Sequence, residues 1–314
     1  MADRQIDSAA VALMSGAAQT IAHGELVAFP TETVYGLGAD ATNESAVAKI
    51  FAAKGRPPDH PLIVHVASPS GVAYFASDVP AFAQRLIAAF WPGPLTVILP
   101  RKPDVARAAA GGQDSIGLRC PSHPLALSLL RACERLGVHG VAAPSANRFG
   151  RISPTTAAHV RDEFGEGLLI VDGGDCEVGI ESTIIDCTRG APVLLRPGVL
   201  TLKHIAQACG QLVHPAHALL QPAPKASGTL ESHYAPRAKL RLVSFDEAVA
   251  LQALSDKTLR PVYVLPRDPE RAAHELFAKL RELDQTGVAE ILVSKPPLGE
   301  AWDGVRDRLS RAAA

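Results

Sequence analysis

Seven short apolar runs between residues 61 and 197, "PLIVHV", "PLTVILP", "SIGLRC", "GVAAP", "GLLIVD", "STIIDC" and "PVLLRP", limit what this chain can fold into. They are rich in Val, Ile or Leu and bounded by turn residues, as buried strands are. Helical patterns fall between some of them, around 80–90, 123–136 and 154–163, and not between others. Strands and helices that alternate irregularly predict an α/β domain built on a mixed, twisted β-sheet with flanking helices.

Ahead of these runs, Ile6, Ala10, Leu13, Ala17 and Ile21 recur at helical spacing, and Gly24 ends that helix before the strand-like "ELVAF". Asn43 is placed to cap a helix that reaches Lys54, and another helix is expected over 201–208. From His214 to Pro236 the text becomes "HPAHALLQPAPKASGTLESHYAP", without periodicity, which reads as a linker. Beyond it "KLRLVSF", "RPVYVLP" and "VAEILVS" alternate with helical segments near 246–254, 269–283 and 299–312. Three such β-α units predict a small parallel-sheet domain of Rossmann-like topology. The expected division is a large domain over 1–205, a linker or lid over 206–237 and a small domain over 238–314.

With 314 residues, 47% of them hydrophobic and 20% charged, the chain can bury a sizeable core. Its formal charge is -1, with 17 basic against 19 acidic residues up to 205 and 14 against 13 after it. Neither part has the positive excess of a protein that binds nucleic acid mainly through phosphates. Five cysteines without a C-x-x-C pair fit buried thiols in a reducing compartment. The acidic start, with Asp3 and Asp7, is unlike a signal peptide, and no run approaches the ~18 apolar residues of a membrane span. A cytoplasmic protein is expected.

"GLGADA" at 36–41 matches the dinucleotide fingerprint G-x-G-x-x-A, but polar "PTET" precedes it and the helix starts later, near Asn43. Gly-Lys occurs nowhere, which excludes a P-loop, and G-x-S-x-G and H-E-x-x-H are absent. "HPAH" at 214–217 has no cysteine or acidic partner at ligand spacing, so no protein-held metal is expected. What remains is a set of polar residues where strands and helices end: Thr31, Thr33, Lys54, Arg56, His65, Arg119, Ser145, Asn147, Ser182 and Arg196. Ligands of α/β sheets tend to bind in the crevice beyond the strand ends. Cations beside hydroxyl and amide groups, with no nucleophile-base pair among them, suit a polyanion bound next to a small polar molecule.

"PTETVYGLG", "KGRP" with "PLIVHV", "WPGPLT", "APSAN", the "SPT" of "GRISPT", "ESTIID" and "LLRPG" resemble, in this order, the YrdC-like threonylcarbamoyl-adenylate synthases over roughly residues 10–205. "HYAP" and "DRLSRAA" look like the longer, two-domain form. The resemblance implies that L-threonine, bicarbonate and ATP, with Mg²⁺ on the phosphates, give threonylcarbamoyl-AMP and diphosphate. That product feeds the threonylcarbamoyladenosine modification of tRNAs reading codons that begin with A. It further implies a downstream threonylcarbamoyl transferase as partner, tRNA met only indirectly, and no membrane. Threonine's amine captures bicarbonate as a carbamate that attacks the α-phosphorus, so the protein's work is positioning and charge neutralisation.

Carried over position by position, the resemblance puts Thr33, His65, Arg119, Ala143 and Ser182 around threonine. It puts Lys54, Arg56, His60, Ser115, Ser145, Asn147, Ser153, Arg196 and Tyr234 around ATP, with Lys54 and Arg56 as the catalytic clamp. His60 stands where the family usually has Asn and adds a proton equilibrium. "SGTLES" before "HYAP" is less basic than in many relatives. Two other readings remain open, a double-stranded RNA-binding module and a carbamoyl transferase of the hydrogenase-maturation type. Near-neutral charge disfavours the first, and the absence of zinc-finger-like cysteine pairs disfavours the second.

Overall fold

Side-chain alternation along short strands divides the molecule into layers. The structure, a computed structural model, describes residues 8–314 apart from 217, 219–221, 230–232 and 255–259. In chain order the first part runs α1 (Ser8–Ala22), β1 (Val27–Phe29), β2 (Gly36–Asp40), α2 (Glu44–Lys54), β3 (Ile63–His65), α3 (Val72–Phe75), α4 (Ala81–Phe90) and β4 (Leu95–Pro100). It continues through β5 (Ser115–Arg119), α5 (Pro124–Arg135), β6 (Val141–Ala142), α6 (Ala157–Phe164), β7 (Leu169–Ile170), β8 (Thr183–Asp186), β9 (Val193–Arg196), α7 (Leu202–Cys209) and β10 (His214–Pro215). The remainder is β11 (Lys239–Val243), α8 (Phe245–Leu254), β12 (Val262–Tyr263), α9 (Pro269–Gln285), β13 (Glu290–Ser294) and α10 (Asp303–Ala312).

Among the described residues, ten strands form one sheet in the order β10-β9-β8-β4-β5-β3-β6-β2-β1-β7. Its neighbours are mixed, β3 with β5 parallel and β4 with β5 antiparallel. Val27 and Phe29 of β1 pack with Met14, Ala17, Ala18 and Ile21 of α1 and with Leu129 and Cys133 of α5. Ala28, between them, joins the opposite core with Val47 and Ile50 of α2 and Leu86 of α4. Period two thus sends neighbouring residues into different cores.

Several expectations change. The first helix buries Met14, Ala17, Ala18 and Ile21 and leaves the predicted core residue Leu13 42% exposed. The reason is that α1 packs on α5 through one narrow i, i+3, i+4, i+7 stripe; Ile6 lies outside the described residues. The dinucleotide-like "GLGADA" is strand β2, antiparallel to β1. A Cβ on Gly38 would come within 2.7 Å of the Phe29 ring, so this glycine serves close strand packing. The expected boundary at 205 falls inside α7, whose Ile205 and Cys209 are buried in the large core, and β10 still extends the sheet. The stretch without regular structure therefore begins after Pro215. His217 and the Leu230–Ser232 part of "SGTLES" lie outside the described residues. The second sheet is parallel as expected, in the order β11-β13-β12, with the last strand central.

Candidate active site

Ser115, Gly117 and Arg119 of β5 alternate with Ile116 and Leu118, which belong to the core. The same alternation turns Ile63 and His65 of β3, Thr96 and Ile98 of β4, and Ser182 and Ile184 at β8 to the side away from that core. Two neighbouring cavities, one larger than the other, lie against these residues. The larger cavity is bounded by strand ends: Thr31 and Thr33 follow β1, His65 and Arg119 close β3 and β5, Ser145 follows β6 and Arg196 closes β9. The helices α2, α4 and α7 cover the opposite face of the sheet, and linker residues Lys225, Ser227, Gly228, His233 and Tyr234 roof this one.

The linker is stitched down at Ser227. Its hydroxyl donates to the Pro61 carbonyl at 2.7 Å and accepts from Arg56 at 3.3 Å, and its carbonyl accepts from Arg196 at 3.0 Å. Outside it, Lys225 pairs with Asp59 at 2.6 Å and donates its backbone N–H to Gln113. Tyr234, further along, is buried with a left-handed backbone, φ 62°, and its hydroxyl lies against Gly228.

Thr33, Arg56, His65, Arg119, Ala143, Ser145, Ser182, Arg196 and Tyr234 all line the larger cavity, with His233 and Glu181. Ser115 lines its neighbour. Lys54, His60, Asn147 and Ser153 line neither. Gly55 ends α2 with φ 64° and turns the chain so that Lys54 and Arg56 diverge. Lys54 is buried and donates to the carbonyls of Ser145, at 2.6 Å, and Asn147, so it ties the K-x-R corner to the "APSAN" loop. Asn147 spends its amide on the carbonyls of Arg148 and Arg151. The Ser153 hydroxyl donates to Glu181. His60 sets its ring edge on Phe149, 5.5 Å away, and the same Phe149 lies under the Arg56 guanidinium.

Burial dominates the electrostatics. It lowers Lys54 well below the ordinary lysine range, with the Arg56 charge adding to the effect, and lowers Arg56 to about 10. His65 falls to about 3 through burial and the Arg119 charge, and His233 to about 3 mainly through burial. His60 is lowered too, by burial and then Arg56, so its proton equilibrium moves below the ordinary histidine range.

Sequence reasoning missed two carboxylates. Glu32, inside "PTET", forms a buried ion pair with Arg119 at 2.8 Å. Glu181, which opens "ESTIID", is paired with Arg308 of α10 at 2.8 Å. Burial alone would raise Glu181, but Arg308, Arg196 and the Ser153 hydroxyl hold it below the ordinary carboxylate range. His233 and Ser227 were missed as well. His233 is the first residue of "HYAP" and Ser227 lies in a turn-rich stretch, and neither signal names a partner.

A model of the Sua5/YciO/YrdC family, described as telomere recombination, matches residues 19–198, and one described as threonylcarbamoyl-AMP synthase, C-terminal domain, matches 200–314. The chain is 42% identical to the threonylcarbamoyl-AMP synthase of Pyrococcus abyssi, covering 95% of this chain and 93% of that one. It is 36% identical to the one of Schizosaccharomyces pombe, over 92% and 85%. The crystal structure of P. abyssi Sua5 complexed with L-threonine superposes with a TM-score of 0.85 at 40% identity, covering 96% and 94%. With both domains matched nearly end to end, the chain belongs to the two-domain threonylcarbamoyl-AMP synthases of the Sua5/YciO/YrdC family.

Proposed function

We propose that the cleft at the strand ends joins L-threonine, bicarbonate and ATP into threonylcarbamoyl-AMP and diphosphate, with threonine against β3, β5 and β8 and the nucleotide under the linker. The observation that carries this reading is the clustering of unsatisfied polar atoms. Among the described residues Arg56 Nε, His65 Nδ1, His233 Nδ1 and the Tyr234 hydroxyl are buried without a hydrogen-bond partner, and all four belong to residues lining the larger cavity. Buried polar groups seldom stay unpaired, so a cluster of them fits a ligand that supplies the missing partners.

On the threonine side we place Thr33, His65, Arg119, the Ala143 backbone and Ser182, all of which line the larger cavity. Arg119 would meet a carboxylate while keeping Glu32, since a guanidinium carries five N–H donors. Neutral His65 keeps an acceptor for an amine or hydroxyl. The complex of P. abyssi Sua5 with L-threonine supports this reading at 40% identity. On the nucleotide side, Arg56 and Arg196 supply forks for phosphate oxygens. Lys54 has used two of its three N–H donors on carbonyls and keeps one for an anion. Ser115 and Ser145 offer hydroxyls. His60, Asn147 and Ser153 act by holding the loops and Glu181 around that site, while Tyr234 covers it.

Magnesium fits as part of the MgATP substrate. Glu32 and Glu181, the carboxylates lining or bordering the cleft, are each ion-paired, and among the described residues no group of three His, Cys, Asp or Glu is gathered for a metal. The cytoplasm is the setting we propose, since no helix among the described residues is long and apolar enough to cross a membrane. The product would pass to a threonylcarbamoyl transferase, with tRNA met only there.

The test is diphosphate release from MgATP with threonine and bicarbonate added singly and together. Release is expected only with both. Release that ignores either substrate would sink the reading.

A further inference from the structure

Arg308 belongs to α10, beside the small sheet, yet it is completely buried and its guanidinium reaches the wall of the cleft. Its Nε lies 2.8 Å from Glu181 Oε2, and one terminal nitrogen donates to the Glu181 carbonyl at 3.1 Å. The other terminal nitrogen donates to the Pro197 carbonyl at 2.7 Å and pairs with Asp307 at 2.8 Å. The guanidinium carbon stands 5.3 Å from the centre of the Tyr234 ring. The donors of one fixed fork are thus shared among the segment before β8, the turn after β9 and Asp307, while the guanidinium lies over the Tyr234 ring at the end of the linker.

Glu181 makes this arrangement more than packing. It lines the same cavity as Arg56, Arg196, His233 and Tyr234, so a full negative charge stands in a cleft built to gather an anion. Without Arg308 that carboxylate keeps the Ser153 hydroxyl but no buried ion-pair partner, and it would turn to the cations that share its cavity. Those are Arg196, already hydrogen-bonded to the adjoining Ser182, and Arg56, the groups proposed to meet the triphosphate. An internal carboxylate on those cations competes with the ligand, and one left unpaired repels it across a short, poorly screened distance.

We propose that Arg308 is a positioning residue of the synthase site. It withdraws Glu181 from the nucleotide-binding cations by holding it in a buried ion pair, and it fixes Tyr234 over the cleft, so the C-terminal domain completes the ATP site. The inference rests on the reading of this cleft as the ATP site. It assigns Arg308 an effect on nucleotide binding that a purely structural ion pair would not have.

The test is isothermal titration calorimetry on the full chain with a non-hydrolysable ATP analogue and, separately, with L-threonine. Arg308→Met, Glu181→Gln, the double variant and Arg308→Lys are compared, with thermal midpoints recorded for each. Arg308→Met is expected to weaken the analogue by roughly 10- to 100-fold and threonine by no more than about threefold, because the freed carboxylate acts on the phosphate cations. Glu181→Gln is expected to tighten the analogue. The double variant should return to within about fivefold of the unmodified chain, and Arg308→Lys, which keeps the charge without the fork, should fall between. Equal weakening of the analogue by Arg308→Met and Glu181→Gln would mean a structural pair only and overturn the proposal. If Arg308→Met fails to fold, the double variant, which buries no unpaired charge, decides by the same criterion, and a weakly binding double variant overturns the proposal. An unmodified chain that does not bind the analogue would remove the ATP reading itself, whereas an unmodified chain that binds it and an Arg308→Met that binds it equally well would overturn only the role of Arg308.

Discussion

His65 and His233 show what burial does to single residues of this site. Both are held at about 3 in the folded chain against an ordinary 6.5. Below pH 6.5 the unfolded chain therefore binds protons that the folded chain refuses, and stability falls as pH drops toward 3. Above pH 6.5 both states are neutral at these positions and the contribution vanishes. Two such groups give a slope of about 2.7 kcal/mol per pH unit in the middle of that window. Urea unfolding between pH 7.5 and 4.5 is expected to show this loss, and His65→Gln should lower the slope by about 1.4 kcal/mol per pH unit. A midpoint indifferent to pH over that range would contradict the buried, neutral state of these rings. At this scale the sequence announces the residue types: a histidine in a strand, two cations at a corner, a serine opening "STIIDC". It cannot announce that Arg119 is held by Glu32 or that Lys54 donates to two carbonyls, since these partners lie 87 to 93 residues away along the chain.

Among the elements, the strap at Ser227 and Gly228 carries the sharpest steric constraint. Gly228 has φ 74°, and a Cβ there would come 2.2 Å from the Tyr234 hydroxyl and 2.9 Å from Arg196. Gly228→Ala must therefore push the strap off the cleft or displace both side chains, on top of a backbone penalty of about 1 to 2 kcal/mol. The expected outcome is a several-fold rise in the ATP KM, with limited proteolysis cutting the strap faster while the sheet stays resistant. Unchanged kinetics would remove the strap from the nucleotide site. Most of the longer helices and strands were readable because each satisfies a local rule, whereas α3 and the two-residue β10 were not. Asn43 caps α2 by accepting the Ala46 N–H, and Gly55 ends it in the left-handed region. The strap was readable only as an absence of periodicity, because its hydrogen bonds go to side chains and carbonyls of distant loops and leave no local pattern.

The two sheets do not keep separate cores. Val34, Ile152 and Ile180, carried by loops of the large sheet, are buried in one cluster with Leu276, Phe277, Ile291 and Trp302 beyond the linker. Removing residues 222–314 would uncover these side chains and leave Glu181 without Arg308. The truncated chain is expected to lose about 3 to 5 kcal/mol of stability, the scale of breaking a buried ion pair, and to bind a hydrophobic dye. An unchanged urea midpoint and no dye binding would show that the first sheet stands alone. The sequence by itself determined the class of fold, the order of its elements, the parallel second sheet and the family, because these rest on periodicity, caps and motifs written within a few residues of one another. Only the tertiary structure decided that a strap covers the cleft at the strand ends, that two unassigned carboxylates hold its arginines, and that α10 supplies one of those arginines. Such pairings depend on which distant groups share a small, poorly screened volume, and a linear text carries no measure of that.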